Sequence, residues 1–73
     1  MHILLTPNDS VDPASVEMAH LIEWDGQPRT EFLLKREDIV APLSFVGDEA
    51  IEAWVNWQLY VRRAEEERRG GDK

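Results

Sequence analysis

The chain has 73 residues, no cysteine, and 15 acidic against 8 basic side chains, for a formal net charge of -7. That length allows one domain and, with no cysteine, excludes disulfides and thiolate metal sites; a chain of this size buries only about 60% of its unfolded surface. A field of this sign repels nucleic acid and anionic membranes and attracts basic partners, while the same charge also serves plain solubility.

Residues 1–61 hold eleven acids and three bases, a net of -8, whereas residues 62–73 come to +1. The acidity therefore belongs to the body and not to a tail. No run of about 18 apolar residues occurs, so no membrane-spanning segment is expected. The N-terminal apolar run Ile3-Leu4-Leu5 is too short for a signal peptide and no base precedes it, so a cytoplasmic protein is expected.

In chain order, His2 to Thr6 reads as a short strand closed by Pro7. Asn8 to Ser15, rich in Asn, Asp, Ser and Pro, reads as a loop. Val16 to Trp24 and Arg29 to Arg36 alternate apolar and polar residues around Asp25-Gly26, which predicts a hairpin. A three-residue loop sets Glu23 opposite Arg29 on the outer face and gathers Met18, Ile22, Phe32 and Leu34 inside. A rival reading starts a helix at Asp12-Pro13 and carries it over residues 13–23, with Ala14, Met18, Leu21 and Ile22 at helical spacing. Glu37 to Gly47, interrupted by Pro42, is read as a connection whose Ile39, Val40, Leu43, Phe45 and Val46 pack over the core.

Asp48 to Arg69 is the longest element, a helix with acids in its first turn and arginines toward its end, as the helix dipole favours. At about 100° per residue, Ala50, Trp54, Trp57, Val61 and Ala64 form a main stripe flanked by Ala53 and Tyr60. Ile51, Val55 and Leu59 form a second stripe pointing well away from the first. One sheet covers the main stripe; the second needs the Leu43–Val46 connection, a second copy, or a target. The expected fold class is α+β: a small antiparallel sheet, made of the N-terminal strand plus the hairpin, packed against one long C-terminal helix. The expected domain spans 1–69, with a disordered tail over 70–73.

The residues give little support to catalysis. Ser10, Ser15 and Ser44 lie in loops without a nucleophile-elbow setting, and His20 sits among apolar neighbours. The adjacent acids Glu37-Asp38 and Asp48-Glu49 sit at chain breaks, where solvated turn and cap roles explain them. Phosphate-loop glycine spacing is absent, and two histidines without cysteine do not make a structural zinc site. Neither an enzyme nor a cofactor or metal site is expected. Direct nucleic-acid binding is disfavoured because the C-terminal arginines are interspersed with Glu65, Glu66 and Glu67.

Two binding readings follow. In the first, Glu17, Glu23, Asp25, Glu31, Glu37, Asp38, Asp48, Glu49 and Glu52 occupy a basic, nucleic-acid-binding surface of a partner protein or complex, displacing phosphates as a nucleic-acid mimic. Small acidic inhibitors made by bacteriophages against restriction or CRISPR complexes share this size and charge; no residue motif carries the likeness. In the second, the protein is a structural or adaptor module that homodimerises or docks through Ile51, Val55 and Leu59.

Overall fold

The N-terminal apolar run forms β1 (Ile3–Thr6), and the chain doubles back through Pro7-Asn8 into β2 (Asp9–Val11). In this computed structural model, which describes residues 1–71, β2 replaces part of the expected loop. The Thr6 hydroxyl donates to Asp9 Oδ2 at 2.9 Å and accepts from the Asn8 amide at 3.3 Å, so the turn is held by its own side chains. β1 and β2 pair antiparallel, with Ile3 opposite Val11.

The Asp12-Pro13 helix signal is genuine but lasts one turn. Asp12 caps a 3-10 turn at Pro13–Ser15, its carboxylate accepting from the Ala14 amide at 3.0 Å. Val16 then leaves in extended conformation. The rival helix over 13–23 is excluded because beyond the 3-10 turn the segment is β3 (Val16–Trp24), paired with β4 (Gln27–Arg36) with a bulge at Glu17.

The β3–β4 turn corrects the expected register. Asp25 (φ 54°) and Gly26 (φ 76°) both adopt the left-handed conformation, which marks a two-residue loop of the primed type that matches strand twist. Trp24 therefore faces Gln27, Ile22 faces Arg29 and Ala19 faces Phe32. A shift of one residue reverses the faces of a strand. Met18 and Ile22, expected inside with Phe32 and Leu34, lie on the outer face, and Ala19 and Leu21 take the inner one. Glu23 pairs with Pro28 and not with Arg29.

Residues 37–47 are a strand and not a covering connection. Glu37 (φ 55°) and Asp38 turn the chain into β5 (Ile39–Val46), which completes an antiparallel sheet of order β3-β4-β5. Pro42 is tolerated because β5 is an edge strand whose outward side needs no donor. The N-terminal strand does not join this sheet: β1 and β2 form a separate two-stranded sheet.

Gly47 (φ 73°) turns β5 into α1 (Asp48–Gly71). Its amide donates to the Pro28 carbonyl at 2.9 Å, and its own carbonyl accepts from the Ala50 amide at 3.0 Å. Ala50 and Ala53 are fully buried. Their small side chains let the helix approach the sheet closely enough for Thr30 Oγ1 to donate to the Ala50 carbonyl at 2.7 Å. Phe32, on the central strand, stacks edge-on against Phe45 (6.2 Å) and Trp57 (5.5 Å), and Leu5 and Val11 close the core from the small sheet. Asn56 Nδ2 donates to the Leu5 carbonyl at 2.8 Å and ties β1 alongside the helix. The fold is α+β, two antiparallel sheets packed against one long helix. Trp54, expected in the core stripe, is only half-buried, while Ala53, expected at its flank, is fully buried. Gly70 and Gly71 continue the helix; residues 72–73 of the expected tail lie outside the described residues. Among the described residues no helix is long and apolar enough to cross a membrane.

Candidate functional site

The inner face of the three-stranded sheet is covered by α1 and the β1–β2 hairpin, which leaves the outer face open. Cross-strand pairing builds that face in rows. Ile22, Arg29 and Val46 form one row; His20, Glu31 and Ser44 the next; Met18, Leu33 and Pro42 the third; Lys35 and Val40 the last. Trp24, at the tip beside the Asp-Gly turn, is 64% exposed, and Met18, Ile22, Val40 and Val46 are exposed as well. An antiparallel sheet with one solvated face normally shows polar residues there. Here a central polar row lies between apolar ones.

The polar row is bonded within itself and to Arg29 of the adjoining row. Glu31 Oε1 lies 3.3 Å from His20 Nε2, while Oε2 lies 3.5 Å from Arg29 Nη2 and accepts from Ser44 Oγ at 3.4 Å. The same face carries a longer ion pair, Lys35 Nζ to Glu17 Oε1 at 3.7 Å. Contacts this long and partly solvated add little stability. Their effect is to engage two acids that were candidates for a partner.

The nine candidate acids divide into three places. Glu17 and Glu31 lie on the outer sheet face. Asp25, in the β3–β4 turn, shares one end of the sheet with Glu23 and with Asp48 and Glu49 of the first helical turn, because the Gly47–Pro28 hydrogen bond joins those segments. Glu52 follows one turn along the helix. Glu37 and Asp38 occupy the β4–β5 turn at the opposite end. A ten-residue strand separates the two ends, about 33 Å at the rise of an extended chain. The structure brings Glu23, Asp25, Asp48 and Glu49 together and keeps Glu37 and Asp38 apart from them.

The second stripe of the helix is uncovered. Ile51 is 45% exposed, Val55 49% and Leu59 50%. The Leu43–Val46 segment that was expected to cover it is paired into the sheet on the opposite side of α1. The buried positions Ala50 and Ala53 together with Trp57 point almost 180° away from Val55 on the helical wheel.

A cleft of about 340 Å³ lies between β2 and the far ends of β4 and β5, lined by Val11, Leu34, Ile39, Arg36 and neighbours. No three His, Asp or Glu side chains among the described residues converge where a metal ion fits. Sequence reasoning missed the open-face residues Met18, Ile22, Trp24, Val40 and Val46. The signal was present in Asp25-Gly26, whose preferred two-residue loop determines the face that those of β3 occupy. The chain matches no family model, no curated protein and no solved structure.

Proposed function

We propose that this protein is a non-enzymatic acidic binding module that docks a basic protein surface on the open face of its three-stranded sheet. The observation that carries this reading is the exposed apolar set Met18, Ile22, Trp24, Val40 and Val46 on the solvent side of a sheet whose other side already holds the core. Exposed apolar area of this kind, bordered by charge, has the anatomy of an interface. The border is acidic at both ends, with Asp25 in the turn at one and Glu37 and Asp38 in the turn at the other; Glu23 lies at the first end but on the inner side of the sheet. The body charge of -8 favours a partner rich in Lys and Arg and speeds its approach.

A nucleic-acid-binding protein has such a surface, and occupying it makes the module an inhibitor by competition. The two acidic ends stand well apart, so they suit two basic patches flanking an apolar one and not a single phosphate track. The test is capture from lysate at low and high salt, with mass identification, using the wild type, a Trp24→Ser/Val46→Ser variant and a Glu37→Lys/Asp38→Lys variant. The expected result is a basic protein held by the wild type at low salt, weakened by either variant and released by high salt. Retention unchanged by both variants, or retention of acidic proteins only, refutes the reading.

A further inference from the structure

We propose that the uncovered stripe of α1 is a self-association surface, on which a second copy of this chain docks its own α1 antiparallel about a two-fold axis at Val55. The surface lies on the side of the molecule opposite the open sheet face, so this inference is independent of the binding reading above.

The stripe is symmetric about its centre. Ile51 and Leu59 each stand four residues from Val55. In an antiparallel pair with Val55 facing Val55 of the second copy, Ile51 packs beside the other copy's Leu59, and the reciprocal contact follows by symmetry. The charges continue the match. Seven residues before Val55 stands Asp48, and seven after it stands Arg62, so the same register sets Asp48 beside the second copy's Arg62. On the helical wheel both lie within about 20° of the Val55 direction, the face that would be shared. A parallel arrangement sets Asp48 beside Asp48 and Arg62 beside Arg62, which is repulsive. Antiparallel helix dipoles also attract where parallel ones repel. The occupant is therefore a copy of this chain, because the surface complements itself in one orientation.

Two helical turns on each side offer less than the roughly 800 Å² per partner of a standard interface. Two bodies of net charge -7 repel each other at long range. The dimer is thus a weak one, populated at high protein concentration. It leaves both open sheet faces pointing outward, which makes the assembly bivalent toward a partner.

The absence of cysteine permits a direct test, since a single introduced thiol is unique in the chain. Val55→Cys, Ile51→Cys and Leu59→Cys replace half-exposed positions, with Ser44→Cys on the sheet face as a control. Under mild oxidation at high concentration, Val55→Cys forms a covalent dimer. Ile51→Cys alone and Leu59→Cys alone do not, because an antiparallel pair separates each from its own copy by about 12 Å along the axis, beyond disulfide reach. An equimolar mixture of Ile51→Cys and Leu59→Cys forms the mixed dimer. Self-linking of Ile51→Cys as fast as Val55→Cys overturns the antiparallel register. Linking of Val55→Cys no faster than Ser44→Cys overturns the interface. In sedimentation experiments on the chain without cysteine, Arg62→Asp weakens association and Asp48→Arg combined with Arg62→Asp restores it; failure of the combined variant to recover the wild-type mass distribution also overturns the pairing.

Discussion

Gly26→Ala probes the turn that decides which side chains this protein presents. Gly26 sits at φ 76° directly after Asp25 at φ 54°. A methyl group added at Gly26 meets no atom within 4 Å, so the substitution introduces no clash. The cost is then backbone conformation, about 1 kcal/mol for an L residue held in the left-handed region. For a domain of this size that lowers the midpoint of thermal unfolding by about 6 °C. Circular dichroism melts of wild type and variant measure the shift. D-alanine at the same position, accessible by chemical synthesis of so short a chain, favours positive φ and has the same side-chain volume. It is expected to melt at or above the wild-type temperature. If D-alanine destabilises as much as L-alanine, the cause is steric and the account of the turn is wrong. If neither substitution moves the midpoint, Gly26 is not left-handed, and the two-residue loop that exposes Met18, Ile22 and Trp24 is refuted.

Thr30→Val keeps the shape of a fully buried side chain and removes its hydrogen bond to the Ala50 carbonyl; the expected loss is about 1 kcal/mol in urea unfolding, and an unchanged midpoint contradicts the proposed tether between β4 and α1. Asn56→Ala removes the 2.8 Å bond to the Leu5 carbonyl. It should cost about 0.5–1.5 kcal/mol and accelerate hydrogen exchange over residues 3–6 and 9–11 more than over β4; uniform acceleration across the molecule shows that β1 and β2 do not open as a unit.

Much of the fold is legible locally. The long helix is written in the acids of its first turn, its arginines near the end and its apolar spacing, and α1 begins at Asp48, directly after Gly47. The hairpin is written in alternating runs around Asp25-Gly26. The strand at Ile39–Val46 was obscured by Pro42, because a proline argues against a strand unless the strand lies at an edge, and edge position is a property of the whole sheet. β2 was obscured by Asn8, Asp9 and Ser10, whose composition favours loops and whose pairing with β1 depends on turn bonds between Thr6, Asn8 and Asp9.

The candidate surfaces divide in the same way. Composition by itself determined an acidic, cysteine-free chain, and residue order placed Ile51, Val55 and Leu59 on a face of the helix away from its core stripe, because helical periodicity depends only on spacing. Only the tertiary structure decided that nothing among the described residues covers that stripe, since the segment able to do so hydrogen-bonds into the sheet instead. Only the tertiary structure separated the acids between two ends, and only the register turned Met18, Ile22 and Trp24 outward. A strand repeats every two residues, so both faces are equally consistent with its sequence; one residue of turn length, stabilised by two left-handed backbone conformations, selects between them.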